Sequence, residues 1–428
     1  MADLRTNLAG IKSPNPFWLA SAPPTNSGYQ IMKAFDAGWG GAVWKTLGVP
    51  VVNVSSRYGA LNYRDNRMVG FNNIELITDR PLEVNFREIY ETKKKFPKHA
   101  VVVSLMVETQ EEWKDIIKRS IDAGADGLEL NFGCPHGMCE RGMGSAVGQE
   151  PMVNERITAW AVEYSTVPVL VKLTPNVSDI LPHGLAAQKG GAHGVSLINT
   201  IKSIISVDID RFVPEPRVGA LSTNGGYCGA AVKPIALHML ARLTRSPNFK
   251  IPVSGIGGVT NWRDAVEFML LGASSVQVCT EVMLKGYRIV EDMIEGLDEY
   301  MATHGFQTID QLVGKAVPAY SEWGDLDLNY ETIAKIDEKK CIGCQLCVVA
   351  CHDGAHQCIH PSKETNGGSE IRVPVVDEAE CVGCNLCKIV CPVPDCISLV
   401  AVDNGFAPAT WNDHVTQGAK LRPKKGAH

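Results

Sequence analysis

Up to about residue 320, short apolar runs alternate with longer amphipathic stretches, which is the pattern of parallel strands joined by crossover helices. Eight runs are predicted to be strands: FWLAS (17–21), AVWKT (42–46), AVVVSLM (100–106), LELN (128–131), PVLVKL (168–173), GVSLIN (194–199), IPVSG (251–255) and SVQVC (275–279). Helices are predicted between them at Ile31–Ala37, Pro81–Phe96, Gln110–Ala123, Val153–Ser165, Ile180–Lys189 and Trp262–Leu271. Several of these helices are followed by a capping glycine, at Gly124, Gly190 and Gly272.

Eight strand–helix pairs predict an α/β fold, a (β/α)8 barrel, whose chemistry lies at the C-terminal ends of the strands. A doubly wound open sheet is the alternative, and the absence of a G-x-G-x-x-G turn near the start of the chain weighs against it. The residues at the predicted strand ends are the candidates for function: Ser21, Lys45, Met106, Asn131, Lys172, Asn199, Gly255 and Cys279.

After Tyr330 the composition changes, and the sequence consists of short segments rich in glycine and cysteine. We therefore predict a barrel over residues 1–325, a small ferredoxin-like α+β domain over 326–410, and a basic C-terminal tail over 411–428, whose last nine residues are expected to be flexible and solvated.

Charge and composition exclude several classes of protein. There are 41 Lys and Arg against 47 Asp and Glu, a net charge of -6, so no overall positive field favours nucleic acid. The N-terminus has no apolar signal segment, and apolar runs such as 100–107 are too short to cross a bilayer. Of 14 cysteines, ten lie between Cys341 and Cys396, which indicates metal binding in a reducing cytoplasm rather than disulfides.

The strongest motif is C-x2-C-x2-C-x3-C, which occurs twice. The first copy is Cys341, Cys344, Cys347 and Cys351; the second is Cys381, Cys384, Cys387 and Cys391. In such runs three thiolates bind one [4Fe-4S] cube and the fourth crosses to the other cube. This predicts one cluster on Cys341, Cys344, Cys347 and Cys391, and a second on Cys381, Cys384, Cys387 and Cys351. Structural zinc is the alternative.

Two further cysteines, Cys358 and Cys396, fit neither quartet and are interpreted as small buried hydrophobic residues. His352 follows the first quartet where Pro392 follows the second, which predicts a looser turn after Cys351. Because clusters transfer one electron at a time, the barrel needs a group that converts one-electron into two-electron steps, and a flavin is the obvious candidate.

Several barrel segments together resemble a known family. They are NFGCPHGMCERGMG (131–144), NRMVGFNNIE (66–75), KLTPN (172–176), NT (199–200), GG (257–258) and CT (279–280). They look like the FMN barrel shared by dihydroorotate and dihydropyrimidine dehydrogenases. With the tandem cluster motifs, nearly the whole chain resembles the FMN and iron–sulfur subunits of bacterial NAD-dependent dihydropyrimidine dehydrogenases.

The resemblance implies roles for individual residues. Cys134, on a glycine-rich loop expected to form a lid, is implied to be the proton donor and acceptor, with FMN exchanging the hydride. Lys172 is implied to stabilise the negative charge of reduced flavin. The implied contacts to the flavin ring and ribityl chain are Ala20, Ser21, Lys45 and Thr46. The loops after strands seven and eight are expected to bind the phosphate, through Gly257, Gly258, Cys279 and Thr280.

Substrate binding is assigned to side chains that match alternating ring C=O and N–H groups: Asn73, Glu75, Asn131, Asn199 and Thr200. Glu75 stands where dihydroorotate enzymes usually have glycine, and a carboxylate there would repel orotate but accept a hydrogen bond from a neutral pyrimidine. The expected substrates are uracil, thymine and their 5,6-dihydro forms. Gly133 replaces a serine of the eukaryotic enzyme, so one hydroxyl contact is missing.

The chain has no dinucleotide-binding motif, so NAD(H) and FAD are expected on a partner subunit of a hetero-oligomer. Three alternatives stay open at this point: a flavin and iron–sulfur electron relay, a dihydroorotate dehydrogenase-type enzyme, and a cysteine-rich interaction protein with structural metals.

Overall fold

The computed structural model describes residues 2–49, 51–63, 66–135, 142–361 and 372–423; the side chains of residues 66 and 67 are not described. The predicted lid loop therefore lies partly outside the described residues, at 136–141, as do the last five residues of the predicted tail. The chain divides into two compact units, one ending at Tyr320 and the other beginning at Ser321.

The first unit is a closed barrel of eight parallel strands. In chain order they are β1 (Phe17–Leu19), β2 (Gly41–Leu47), β3 (Ala100–Leu105), β4 (Gly127–Asn131), β5 (Val169–Lys172), β6 (Gly194–Leu197), β7 (Val253–Ile256) and β8 (Ala273–Val278). Each strand pairs with the next and β8 closes on β1, so the predicted barrel and its eight strands are confirmed. The strands read as apolar runs because both of their faces are covered.

The longer helices in the described part of the first unit form the outer layer of the barrel. They are α1 (Gly28–Ala37), α2 (Leu82–Lys95), α3 (Gln110–Asp122), α4 (Pro151–Tyr164), α5 (Leu181–Lys189), α6 (Lys233–Thr244), α7 (Trp262–Leu270), α8 (Thr280–Lys285) and α9 (Ile289–His304). The six predicted helices are present, whereas α6, α8 and α9 were not predicted. Gly124 and Gly272 adopt the left-handed conformation expected of caps, but after α5 it is Gly191 (φ +90°), not Gly190, that does so.

One end of the barrel is sealed by an N-terminal hairpin of Thr6–Leu8 and Ile11–Ser13. Its Leu8 and Ile11 are buried against Trp18 and neighbouring barrel residues. This apolar plug covers the N-terminal ends of the strands, and the predicted site residues lie at the opposite end of the barrel.

An antiparallel sheet that was not predicted comes from the long loops after β2 and β6. Its strands are, in sheet order, Ile201–Ser203, Gly225–Cys228, Asn66–Asn73 and Tyr58–Tyr63. Asn73 pairs with Gly226 in this sheet, and its side chain donates a hydrogen bond to the Gly226 carbonyl at 3.2 Å. The sheet therefore brings residues from two distant loops together beyond the strand ends.

The second unit is α+β. Thr332–Ile336 pairs antiparallel with Ile397–Ala401, and Ile359–His360 pairs with Val375–Val376. Two short helices, Leu346–Val348 and Leu386–Val390, each contain the third cysteine of a motif.

The described part of the predicted tail is folded. Trp411–Gln417 forms a helix that begins at a capping box between Thr410 and Asp413. Asn329 then bonds to Lys420 and Arg422 main-chain atoms at 2.9 and 2.8 Å. These bonds pair main-chain atoms of Lys420 and Arg422 with Asn329. The described part of the tail therefore packs on the rest of the second unit, whereas a solvated tail was predicted. No helix within the described ranges is long and apolar enough to span a bilayer.

Candidate active site and cluster cavities

A cavity with about 1310 Å³ of empty space, part of it open to solvent, lies at the C-terminal mouth of the barrel. It brings together all fifteen barrel residues that the sequence assigned to the site: Ala20, Ser21, Lys45, Thr46, Asn73, Glu75, Asn131, Cys134, Lys172, Asn199, Thr200, Gly257, Gly258, Cys279 and Thr280. Their individual roles stay predictions.

Two of the strand-end candidates do not line this cavity. Met106 packs with Ile77 and Cys134 in a small apolar cluster. Gly255 faces the helix layer, since a Cβ there would lie 2.4 Å from the ring of Phe268. In a strand, successive side chains point to opposite faces, so a residue at a strand end can point away from the mouth.

Amide and hydroxyl groups form a hydrogen-bonded chain across the mouth. The Asn131 amide donates to the Thr46 hydroxyl at 3.0 Å, and the Asn199 amide donates to the Asn131 carbonyl oxygen at 3.0 Å. The Thr200 N–H donates to the Asn199 side chain at 2.8 Å, and Ser21 lies 3.2 Å from the Thr46 hydroxyl. Each amide nitrogen has two N–H groups, so Asn131 and Asn199 each keep a second donor for a ligand carbonyl.

Lys45 is buried in an ion pair with Glu75, and their side chains are 5% and 7% exposed. Glu75 also contacts the Arg57 guanidinium at 3.2 Å and the Tyr58 hydroxyl. Burial, helped by the positive charge of Arg57, lowers the pKa of Lys45 to about 8. The Glu75 carboxylate is therefore compensated by two cations, and the repulsion of orotate expected from it stays a prediction.

Lys172 reaches the cavity above a buried polar layer of the barrel. Its Nζ lies 3.5 Å from the carboxylate of Glu129, which is fully buried. Glu129 also accepts hydrogen bonds from Ser196 at 2.7 Å and from Gln277 at 3.1 Å. The buried carboxylate, itself held by these two donors, positions the lysine side chain in the cavity.

Cys134 lies at the end of the segment that follows β4, and it is 8% exposed. Its carbonyl accepts a hydrogen bond from Ser145 N–H at 3.0 Å. Gly144 (φ +59°) passes so close that a Cβ on it would lie 3.0 Å from the Cys134 Cβ. The returning chain therefore fixes the backbone of Cys134 at the cavity wall.

The cavity contains two other thiols, and both are poor acids. Burial raises the pKa of Cys228 to about 11 and that of Cys279 to about 12. The Thr280 hydroxyl also donates to the Cys228 sulfur at 3.3 Å. These two cysteines therefore stay neutral near pH 7.

The residues present fit an FMN molecule. Lys45 and Lys172 supply cations to a cavity wall that also contains the carboxylates of Glu75 and Glu281, and the loops after β7 and β8 both contribute to the lining. In the β7 loop, Gly257 and Gly258 have φ of +125° and +74°. A Cβ on Gly258 would lie 2.8 Å from the Lys233 backbone nitrogen, so only glycine lets this backbone approach α6 closely.

Each cysteine quartet surrounds a cavity of about 320 Å³ in the second unit. Cys341, Cys344 and Cys347 line one cavity with Cys391, and Cys381, Cys384 and Cys387 line the other with Cys351. The fourth cysteine of each motif thus lies with the other motif, which is the arrangement that the crossed assignment requires. Among the described residues, no three His, Cys, Asp or Glu side chains converge as ligands of a single ion do. The ligands of a cube are spread around a larger core than those of a single ion.

The two motifs share a local conformation. Gly343 and Gly383 have φ of +68°, and Gln345 and Asn385 have φ of +61° and +71°. The backbone conformations of the two motifs differ from the fourth cysteine onward. Val349–Asp353 continues as a π-helical turn through His352, whereas the chain is already extended at Cys391, because the following proline disfavours helical backbone.

Sequence reasoning missed several residues of the barrel site. Tyr58 and Tyr227 line the cavity from the antiparallel sheet, and no motif marked them. Glu129 and Gln277 lie inside predicted strands, and a charged or amide residue within a buried strand was the signal that could have identified them.

Comparison with known proteins agrees with this geometry. Residues 3–301 match the dihydroorotate dehydrogenase family, and residues 334–399 match the 4Fe-4S dicluster domain family. The chain is 42% identical over 365 residues to the NAD-dependent dihydropyrimidine dehydrogenase subunit PreA of Escherichia coli, covering 85% of this chain and 89% of that protein.

Two further relatives extend the comparison. The chloroplastic dihydropyrimidine dehydrogenase (NADP(+)) of Arabidopsis thaliana is 40% identical over 338 residues, covering 76% of this chain and 79% of the relative. The catalytic subunit of dihydroorotate dehydrogenase B (NAD(+)) of Pyrococcus abyssi is 37% identical over 322 residues, covering 73% of this chain and 99% of the relative.

The closed barrel and the two four-cysteine cavities define an oxidoreductase of the iron–sulfur flavoprotein class. FMN and [4Fe-4S] clusters are its cofactors. The chain belongs to the dihydroorotate dehydrogenase family, in the branch formed by dihydropyrimidine dehydrogenase subunits.

Proposed function

We propose that this chain is the catalytic subunit of a dihydropyrimidine dehydrogenase that interconverts uracil or thymine and the 5,6-dihydro bases. The observation that carries the proposal is the barrel cavity, which unites Cys134, the Asn131–Asn199–Thr200 amide chain and two buried lysines. A neutral pyrimidine presents alternating C=O and N–H groups, which this set of amides and hydroxyls can match.

The reaction needs a hydride acceptor and a base, because oxidation removes a hydride from C6 and a proton from C5. FMN, when bound, supplies hydride exchange. Cys134 holds the proton: its thiol donates to C5 during reduction, and its thiolate accepts from C5 during oxidation. Asn131, Asn199, Thr200 and Asn73 bind and orient the ring. Lys172, positioned by Glu129, places a positive charge where negative charge develops.

The other predicted residues complete the site. Ala20, Ser21, Lys45 and Thr46 contact the flavin, and Gly257, Gly258, Cys279 and Thr280 hold its phosphate. Glu75 accepts a ring N–H while it pairs with Lys45. The eight motif cysteines ligate two [4Fe-4S] clusters in the crossed arrangement.

The clusters, when bound by the eight motif cysteines, would supply one-electron transfer to or from a partner subunit that carries FAD and binds NAD(H), so the active enzyme would be a hetero-oligomer. A cytoplasmic location belongs to the same proposal, because a reducing compartment protects the cysteine-bound clusters.

The test is anaerobic mixing of the FMN- and cluster-loaded chain with dihydrouracil, dihydrothymine and dihydroorotate, with flavin absorbance as the readout. Bleaching by the dihydropyrimidines but not by dihydroorotate is expected. Bleaching by dihydroorotate alone would replace the proposal with an orotate-type enzyme. No response to any of the three would indicate an electron relay.

A further inference from the structure

Two buried cysteines lie outside the quartets, and each lines one of the cluster cavities. Cys358 is 3% exposed and lines the cavity of Cys351, Cys381, Cys384 and Cys387. Cys396 is 2% exposed and lines the other cavity. The sequence interpretation of both as small buried residues correctly predicted their burial but did not foresee this location.

The thiol of Cys358 lies beside the crossing cysteine of its cavity. Its sulfur is 3.5 Å from the sulfur of Cys351, although the two residues are seven positions apart. A tight turn accounts for this contact, because the N–H groups of Ala355 and Gln357 both donate to the Cys351 carbonyl, at 3.1 and 2.9 Å. Gln357, at φ +61°, then directs the chain back toward the cavity.

Cys358 is also held in place on its C-terminal side. Its carbonyl accepts a hydrogen bond from Asp377 N–H at 2.7 Å, and the strand Ile359–His360 begins directly after it. Cys396 lies beside Cys391 and Cys341 in the other cavity, and its thiol also donates to the Asp337 carbonyl at 3.8 Å. Each extra thiol thus lies beside the crossing cysteine of its own cavity, and Cys358 is the one whose sulfur lies next to Cys351.

We propose that Cys358 is a reserve ligand, which binds the iron assigned to Cys351 when the Cys351 thiolate is lost. The inference rests on the proposed cluster ligands. In the exchange the iron–sulfur bond to Cys351 is absent or broken, the Cys358 thiol releases its proton to water, and its thiolate forms the new bond to the same iron. No electron is transferred, so the cluster keeps its oxidation state and its four irons.

The test compares iron and sulfide per chain and the reduced-cluster EPR spectrum in anaerobically purified full-length variants. Wild type, Cys358→Ala and Cys351→Ala are each expected to hold about eight irons, as two [4Fe-4S] clusters require. The double variant Cys351→Ala/Cys358→Ala is expected to hold seven or fewer. Its matched control, Cys351→Ala/Cys396→Ala, removes the extra thiol of the other cavity and is expected to keep eight.

The reserve role is overturned if Cys351→Ala loses as much iron as the double variant does. A wild-type chain without about eight irons would instead overturn the ligand assignment, and the reserve role with it. If Cys351→Ala does not fold, Cys351→Ser gives the same information. Its EPR spectrum should match that of wild type through Cys358, and should change when Cys358→Ala is added; an identical spectrum with and without Cys358 contradicts the proposal.

Discussion

Cys134 shares the barrel cavity with two other thiols, Cys228 and Cys279. Cys228 and Cys279 are kept protonated by burial, with pKa values of about 11 and 12. Cys134 lies on the loop that leaves β4, next to the amide chain that we assign to the substrate. Among the cavity cysteines that the structure describes, Cys134 is the one that we propose for proton transfer.

Cys134→Ala should lower uracil reduction by about 10²–10⁴-fold, the range expected for loss of a general acid. FMN content and cluster absorbance should not change, because the alanine fits the same backbone. Steady-state turnover at saturating uracil is the measurement, and Cys228→Ala is the control that should keep most of the rate. Wild-type turnover in Cys134→Ala would remove this residue from the mechanism.

The charge of Lys45 should affect the midpoint potential of the flavin in a pH-dependent way. Its pKa of about 8 means that it carries a positive charge below pH 8 and loses it as the pH rises through that value. A cation beside the flavin stabilises the negative charge that reduction creates, so Lys45→Met should lower the midpoint potential at pH 6.5, by about 30 mV for roughly 1.4 kcal/mol.

The difference in potential between wild type and Lys45→Met should shrink between pH 6.5 and pH 9.5, because the wild-type lysine becomes neutral. Spectroelectrochemical titration of both proteins measures it. A difference that stays constant over this range would show that Lys45 does not titrate there, or that its charge does not act on the flavin.

At the scale of secondary-structure elements, the local sequence predicted the barrel strands but not the antiparallel sheet. The eight strands were predicted because strands buried on both faces require continuous apolar runs. The antiparallel sheet was missed because a strand such as Tyr58–Tyr63 has no buried face to give an apolar pattern, and because the pairing joins loops far apart in the chain. Helix α6 was missed although its strand neighbours were found.

A substitution in the loop after β7 tests the proposed phosphate site. Gly258→Ala places a Cβ 2.8 Å from a backbone nitrogen of α6 in a left-handed conformation, which costs about 1 kcal/mol or more. FMN affinity should fall by about tenfold. Fluorescence titration of apoprotein with FMN measures the change.

Gly305→Ala is the matched control for that loop. Gly305 (φ +75°) ends α9 and has open space around its Cβ position, so the substitution adds backbone strain without a clash. It should lower thermal stability and leave FMN affinity unchanged. Equal loss of FMN affinity in both variants would mean that Gly258 acts only through overall stability.

At the scale of the whole molecule, one unit is the FMN barrel and the other is the two-cluster domain. The sequence has no dinucleotide fingerprint in either part. We therefore expect that dithionite reduces the loaded chain and that NADH alone does not, under anaerobic conditions with absorbance as the readout. Robust NADH-driven uracil reduction by the chain alone would contradict the need for a partner subunit.

The sequence by itself determined the barrel, the cluster motifs and the set of residues at the barrel mouth. Burial patterns and ligand spacing are local properties of the chain, and they can be read without knowing which elements meet. The barrel alone decided that Asn131 and Asn199, 68 residues apart, share a hydrogen bond. The folding of the loop after β2 decided that Glu75 pairs with Lys45 and Arg57. The turn after Cys351 likewise decided that Cys358 lies beside it, because contacts between distant or turned segments depend on geometry that periodicity does not encode.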